Sequence, residues 1–292
     1  IANNHQGSIS HFMNILEDIK SSTDGFNNRF EFLIKFQFRD IPTFIDHTID
    51  PSTNKHISRF NDTQLSDNEW IKVIESVHAE GFRSVVTPFD ERSVNKALEL
   101  GIQEFKIASC SSTEWSLLNE ILKTDKYVTI STGGRSLIEI DNIYSYLAHK
   151  IPHKFTIMHC CGIYPAPNEE LNLRTISKLI RRYPLAKIGY SGHENPSDHS
   201  ISAFALCLGS TCLERHVGKA DKESNINLNM YSVDSSNLVK WLEVLEHTLN
   251  ALGTAKGFNY SNKTESESLA SLQRGAFLIN NVPSGQVINT KD

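Results

Sequence analysis

Two histidines and two lysines are the side chains of this sequence best placed to do chemistry. His193 ends the run Gly-Tyr-Ser-Gly-His (189–193), and His216 lies in Leu-Glu-Arg-His-Val (213–217); each follows a short apolar segment of strand character. If both segments are parallel strands of one sheet or barrel, their C-terminal ends open at the same place, and two imidazoles could flank one metal ion. A lone histidine is more often a hydrogen-bonded structural residue, so the pair alone leaves both readings open. Lys35 and Lys106 also stand at the ends of apolar runs, where a lysine either pairs with a carboxylate or meets an anionic ligand. Gln37, Thr87, Ser109, Ser131 and Ser191, with Asn4, His5 and His159, fall at equivalent positions. Two lysines and four hydroxyl residues converging on one opening make a cradle for phosphate and carboxylate groups. The ammonium groups supply charge and the hydroxyls supply oriented hydrogen bonds.

The elements that must position these residues alternate along the chain. Strand-like runs cover Phe32–Phe36, Ser84–Thr87, Phe105–Ala108, Tyr127–Ser131, Phe155–Cys160, Ala186–Ser191 and Thr211–His216, and a further short strand would end at Ile1 and Ala2. Between them lie runs with apolar residues at helical spacing, such as Phe12, Ile15, Leu16 and Ile19 after a candidate cap at Ser10. Ser66 with Glu69, and Ser136 with Glu139, have the capping-box spacing. Eight strand-helix units in about 255 residues predict an α/β fold, a (β/α)8 TIM barrel. An open doubly wound sheet is disfavoured because no Gly-x-Gly-x-x-Gly turn follows the first strand. The polar stretch from Asp40 to Asp62, holding Pro42 and Pro51, reads as an extended second βα loop at the catalytic face.

Composition narrows the class. The chain has 292 residues, 39% hydrophobic and 22% charged, with a formal net charge of −5, as expected of a soluble globular protein with an ample core. The mild negative charge argues against nucleic-acid partners. No apolar run approaches the roughly 20 residues of a membrane span. Nothing at the start reads as a signal peptide, although the chain opens at Ile1 rather than on a methionine. Five cysteines without Cys-x-x-Cys spacing read as reduced thiols of a cytoplasmic protein.

Nine short runs, in order over residues 1 to about 255, resemble the sialic acid synthase family. They are Asn4-His5-Gln6-Gly7, Ile34-Lys35-Phe36-Gln37, Thr87-Pro88-Phe89-Asp90, Lys106-Ile107-Ala108-Ser109, Ser131-Thr132-Gly133, Met158-His159-Cys160, Tyr164-Pro165-Ala166-Pro167, Gly189-Tyr190-Ser191-Gly192-His193 and Glu214-Arg215-His216. Residues Arg274 to Asp292 resemble the opening of that family's small antifreeze-like (SAF) domain. The expected division is a barrel over 1–255, then a linker and the truncated start of the SAF-like domain over 256–292. The resemblance implies condensation of phosphoenolpyruvate with the aldehyde of an N-acylated amino sugar, giving a 2-keto-3-deoxy sugar acid and phosphate. It implies that Lys35, Thr87, Lys106, Ser109, Ser131 and Ser191 hold phosphoenolpyruvate, and that Gln37, Tyr164 and Asn225 contribute to substrate binding. His193 and His216 would hold a divalent metal, typically manganese, with magnesium or cobalt as alternatives, and with Lys106 form the catalytic set. A homodimer is implied for the full-length protein.

The departures from the family pattern fall on the sugar side. Ser111 stands where a carboxylate is usual, Gly162 where an asparagine is, Gly192 replaces an aspartate, and Asn225 replaces a sugar-binding acid. Retained donor chemistry with an acceptor other than plain N-acetylmannosamine is the reading that follows, since a polyol loses hydrogen bonds worth about 1 to 3 kcal/mol each. Two alternatives stand beside it: a catalytically drifted paralogue acting as a binding or regulatory protein, and a Schiff-base aldolase using Lys106 or Lys35.

Overall fold

In the computed structural model, which describes residues 1–253 and 262–289, the first strand shows how the chain sorts its side chains. Along β1 (Leu33–Phe38), Ile34, Phe36 and Phe38 are buried, while Lys35 and Gln37 alternate with them on the opposite face. The buried face meets aromatic residues of the helices: Phe36 lies 5.7 Å from Phe12 and 5.5 Å from Trp70, and Phe38 lies 4.6 Å from Trp70. The helices are α1 (Ile9–Thr23) and α4 (Asp67–Ala79), whose apolar stripes face the sheet.

The remaining elements repeat this arrangement. In chain order they are β2 (Arg83–Pro88), α5 (Glu91–Glu99), β3 (Glu104–Ile107), α6 (Trp115–Leu122), β4 (Tyr127–Ser131), α7 (Leu137–Lys150), β5 (Phe155–Cys160), α8 (Thr175–Arg182), β6 (Lys187–Ser191), α9 (Ser200–Cys207) and β7 (Cys212–Glu214). All seven strands are parallel and follow one another in sequence order across the sheet. Local chemistry starts the helices where the sequence predicts. Ser66 and Glu69 close one capping box and Ser136 and Glu139 another, while the Asp90 carboxylate accepts from the Ser93 amide; caps of this kind contribute about 1 kcal/mol each. After β7 come β8 (His216–Val217) and β9 (Ser232–Val233), paired with each other, then α10 (Ser235–Leu252).

The sheet is curled until its edges meet. Lys35 Nζ on β1 lies 3.1 Å from a carboxylate oxygen of Glu214 on β7, although these are the two outermost strands of the order. The gap beyond them is bridged by the first residues of the chain. The Ile1 nitrogen donates to the Lys35 carbonyl at 3.0 Å, and Asn4 Nδ2 donates to the Val217 carbonyl at 2.8 Å and to Ser232 Oγ at 3.1 Å.

This arrangement departs from the sequence expectations at several points. The eight strand-helix units reduce, among the described residues, to a seven-stranded parallel sheet and a separate two-stranded pair. The strand expected to end at Ile1 and Ala2 would lie ahead of the described residues; residues 1–7 themselves form successive turns, with Ala2 (φ 50), Gln6 (φ 53) and Gly7 (φ 69) left-handed. The run Thr211–His216 breaks at Arg215 into β7 and β8. The cap of α1 is Ser8, which accepts from the His11 amide at 3.2 Å, rather than Ser10. The stretch after β1 is not structureless, since it holds the short helices α2 (Ile41–Phe44) and α3 (Lys55–Asp62), the latter capped by Asn54.

The chain divides into two compact units, Ile1–Ala251 and Leu252–Asp292. The expected boundary at 255 and 256 lies outside the described residues. The second unit holds α11 (Lys263–Leu272) followed by irregular chain without a strand among its described residues, so no antifreeze-like sheet is seen there. The five cysteines are free thiols, and no helix among the described residues is long and apolar enough to cross a membrane.

His5 generates a prediction about pH. It is 2% exposed, stands edge-on to Trp70 at 5.5 Å, and burial lowers its pKa to about 4 from an ordinary 6.5. Between those values the unfolded chain binds a proton that the folded residue refuses. Stability is therefore complete above pH 6.5 and falls toward pH 4, with a slope approaching ~1.4 kcal/mol per pH unit from this residue. Urea unfolding at about pH 7 and about pH 5 checks it: the loss on acidification should be about 2 kcal/mol smaller in His5→Gln than in the parent chain.

Candidate active site

The strand ends bring the predicted lysines together around a carboxylate. Lys106 on β3 is 3% exposed in its side chain, and its Nζ lies 2.9 Å from Glu214 Oε2. Lys35 Nζ lies 3.1 Å from Glu214 Oε1, and Ser191 Oγ at the end of β6 donates to that oxygen at 2.9 Å. Burial opposes the charge on Glu214, but the Lys106 and Lys35 ammonium groups outweigh it and hold the carboxyl well below its ordinary range. Burial lowers Lys35, with Glu214 pulling the other way. Glu214 itself is not among the residues singled out from sequence. Its signal was available in the run Leu-Glu-Arg-His, where three polar residues end one strand.

The hydroxyl residues stand around this triad on neighbouring strands. Thr87 Oγ1 on β2 is buried with no hydrogen-bond partner, an arrangement that costs about 1 to 3 kcal/mol unless a ligand completes it. Ser131 ends β4 and is buried. Ser109 follows β3; its Oγ accepts from the Gly133 amide at 3.0 Å and lies 3.2 Å from Cys160 Sγ.

A second group holds the two histidines. His193 follows β6 and His216 begins β8, with ring centroids 5.4 Å apart. His193 Nδ1 lies 2.9 Å from the Cys161 carbonyl, so Nδ1 carries the hydrogen and Nε2 keeps a free lone pair. Burial lowers His193 to about 4 and His216 well below its ordinary value, so both rings are neutral at physiological pH. Tyr164 packs on His193 at 4.2 Å, and Tyr231 stands 5.1 Å from His216 and 5.3 Å from Tyr164. Two neutral imidazoles with free nitrogens fit a divalent cation that takes the rest of its shell from substrate and water. Among the described residues no group of three or more histidine, cysteine, aspartate or glutamate side chains could hold a metal.

Other predicted residues fall elsewhere. Gln37 lies on the Lys35 face of β1, where its Oε1 accepts from Arg39 Nη2 at 3.2 Å. Asn225 is not brought to the site by any contact; it is exposed in a left-handed turn (φ 54) with its amide bonded to the Lys222 carbonyl. His159 lies 2.7 Å from the Leu171 carbonyl through Nε2, a structural role. Ser111 is buried in the turn after β3, and a side chain at Gly162 would meet nothing within 4 Å. Gly192 differs. A Cβ there would lie 2.6 Å from the Glu194 carboxylate, which is fully buried and paired with Arg215, while Tyr190 donates to it at 2.8 Å. This ion pair directly follows His193 and directly precedes His216 in sequence, and it too was missed.

A model of the NeuB family matches residues 33–257. The chain belongs to the NeuB family. Among solved structures, that of a spore coat polysaccharide biosynthesis protein E from Chromobacterium violaceum superposes with a TM-score of 0.89 at 36% identity, covering 94% of this chain and 80% of that one. N-acetylneuraminate-9-phosphate synthase of Homo sapiens is 27% identical over 190 residues, 64% of this chain and 52% of its own length. N,N'-diacetyllegionaminic acid synthase of Campylobacter jejuni is 28% identical over 205 residues, 70% of this chain and 60% of its own. The chain thus spans about half the length of the curated relatives it matches.

The triad yields a prediction for this NeuB-family chain. Glu214→Gln leaves two ammonium groups without their counter-charge. Breaking a buried pair costs about 3 to 5 kcal/mol, reduced here toward about 2 because a fifth of the Glu214 side chain (19%) meets solvent. Urea unfolding should show that loss, and millimolar sulfate should restore stability more in the variant than in the parent. An unchanged unfolding free energy would mean that the triad is not formed.

Proposed function

We propose that the chain condenses phosphoenolpyruvate with a sugar aldehyde, giving a 2-keto-3-deoxy sugar acid and releasing phosphate. The observation that carries this reading is the pair of strand-end ammonium groups, Lys35 and Lys106, sharing one carboxylate beside two neutral imidazoles. The triad has a net charge of +1, which favours a small anion over a neutral ligand. The likeness to N-acetylneuraminate-9-phosphate synthase and N,N'-diacetyllegionaminic acid synthase supports the same class of reaction.

In this reading the donor lies between Lys35 and Lys106, and Glu214 holds both side chains in place before it arrives. Thr87 Oγ1, otherwise unpartnered, donates to the donor, as do the Ser109 and Ser131 hydroxyls. Ser191 acts on it through the Glu214 carboxylate that it bonds. A divalent cation, manganese in the first instance with magnesium or cobalt as alternatives, held by His193 and His216, would polarise the acceptor's aldehyde oxygen. Tyr164 and Tyr231 pack against the two imidazoles on this side. The enol carbon of the donor attacks the aldehyde carbon, water adds to the adjacent carbon, and the bond from that carbon to the phosphate oxygen breaks.

The same reading makes residues 1–255 a (β/α)8 barrel in which residues 1–4 stand at the end of its first strand, and 256–292 a linker with the start of an SAF-like domain. It carries with it a homodimer for the full-length protein and a cytoplasmic location. Gln37 and Tyr164 then serve the acceptor; the exposed position of Asn225 leaves it outside the site unless its loop is drawn in by substrate.

Phosphate release from phosphoenolpyruvate with manganese and a panel of aldoses and N-acylated hexosamines tests the proposal. His193→Ala and Lys106→Met should each lower the rate on the order of 10²–10³-fold. Activity that survives both changes, or silence across the panel, would count against it. Thr87→Val should weaken phosphoenolpyruvate binding about tenfold without lowering the unfolding free energy, since it removes a buried hydroxyl that has no protein partner. Burial lowers Lys35, which favours a Schiff-base aldolase as the second reading; borohydride with pyruvate should leave no adduct, and an adduct on Lys35 or Lys106 would decide for it.

A further inference from the structure

The two imidazoles stand beyond the last register that their strands share. The ladder between β6 and β7 ends at Ser191 and Glu214, with one more backbone bond from the Gly192 amide to the Glu214 carbonyl at 3.0 Å. Past that point the segments part, and His216 pairs with Ser232 on β9 instead. A sheet sets the spacing of neighbouring strands only where they are bonded. Something other than the ladder therefore holds His193 and His216 at their ring separation of 5.4 Å.

Glu194 follows His193 and Arg215 precedes His216, and the two side chains meet. Glu194 is 0% exposed and Arg215 2%, with Glu194 Oε1 ion-paired to Arg215 Nη1. Arg215 Nη2 also donates to the Glu194 carbonyl at 3.3 Å, so the guanidinium holds the backbone of the His193 segment as well as its carboxylate. Tyr190 on β6 donates to Glu194 Oε2 at 2.8 Å. The other contacts of the histidine segments run elsewhere: His193 Nδ1 to the Cys161 carbonyl, the His193 carbonyl to the Ala166 amide, and the Val217 carbonyl to Asn4. Beyond the ladder, it is Arg215 and Glu194 that join one segment to the other.

Stability does not account for this pair. Glu194 Oε1, Arg215 Nε and Arg215 Nη1 are buried without a hydrogen bond, and apolar residues of similar volume often match or better a buried pair. Room for it exists because residue 192 is glycine. A Cβ there would stand 2.6 and 2.8 Å from the two Glu194 carboxylate oxygens and 3.0 Å from Arg215 Nη1. What an ion pair supplies and apolar packing lacks is a fixed distance between two particular groups.

We propose that Glu194 and Arg215 are positioning residues that hold His193 and His216 at the spacing a divalent cation needs. This deepens the metal-dependent condensation proposed above and rests on it. Each member of the pair is one peptide unit, about 3.8 Å between Cα atoms, from its histidine. A shift of the pair is therefore passed to the rings.

Manganese titrations of the full chain by calorimetry, without either substrate, provide the test, with urea unfolding run on every variant. Glu194→Met/Arg215→Met removes both charges together and should unfold at the parent's urea midpoint or above it. It should nevertheless bind manganese about tenfold more weakly, the lower end of the loss when support around metal ligands is removed, because the pair acts through the backbone. Arg215→Lys keeps the pair and should stay within about threefold of the parent. If the double variant does not fold, Gly192→Ala carries the test: its Cβ displaces the carboxylate with every charge retained, and manganese should weaken at least about threefold. Unchanged affinity in the variant that carries the test, or a loss in Arg215→Lys as large as in that variant, overturns the proposal. His193→Ala separates the failures. Manganese that is lost in His193→Ala but kept in the double variant overturns this inference alone. Manganese that the parent does not bind, or that His193→Ala leaves bound, removes the metal site of the proposed reaction and this inference with it.

Discussion

The Glu214 carboxylate is the constraint on which the interior of this fold depends. It reaches Lys35 from one edge of the sheet and Lys106 from its third strand, and it takes a hydrogen bond from Ser191 as well. Two ammonium groups buried side by side repel one another and are costly to desolvate; one shared carboxylate offsets part of that cost and is itself kept ionised by the pair. The same contacts join β1 to β7 across the opening. Closure of the sheet and charge at the site are therefore one interaction, and a change to either is felt by both.

Most elements were legible because their causes are local. The first strand alternates buried and half-buried residues, while β2, β5 and β6 are buried along nearly their whole length, as apolar runs of parallel strands are. The helices begin at Ser66, Asp90 and Ser136 because each side chain caps amides within three residues of itself. The turns of residues 1–7 were not legible, because Ala2 and Gln6 adopt left-handed backbone that neither residue type announces. Ser8 and Ser10 are equivalent as caps in sequence, and Gly7 decides between them by setting the turn that precedes Ser8. The strand carrying His216 breaks because the chain turns at Arg215, whose side chain pairs with Glu194.

The site was legible by position and not by partnership. Lys35, Lys106, Ser191 and Glu214 converge as parallel strand ends must, but Glu214 acquires its meaning from lysines 108 and 179 residues away, as 214 − 106 and 214 − 35 give. Arg39 is harder still to read. Its surroundings are assembled from Phe44 and Phe60 in the segment after β1 and from Phe89 after β2. Asn225 fails in the opposite sense: resemblance placed it at the site, and its turn leaves it in solvent.

Gly192 carries the argument to the acceptor. By resemblance an aspartate belongs there, and its loss reads as the removal of a carboxylate; in the structure the Glu194 carboxylate fills the space that a side chain at 192 would need. The negative charge has moved two residues along the chain, but it has not stayed free. Glu194 is spent on Arg215, with Tyr190 donating to its other oxygen, and a pair so deeply buried is rigid because breaking it costs about 3 to 5 kcal/mol. Since Glu194 adjoins His193 and Arg215 adjoins His216, that rigidity fixes the separation of the two imidazoles. A carboxylate that could have met a sugar hydroxyl is instead held beside the histidines by Arg215.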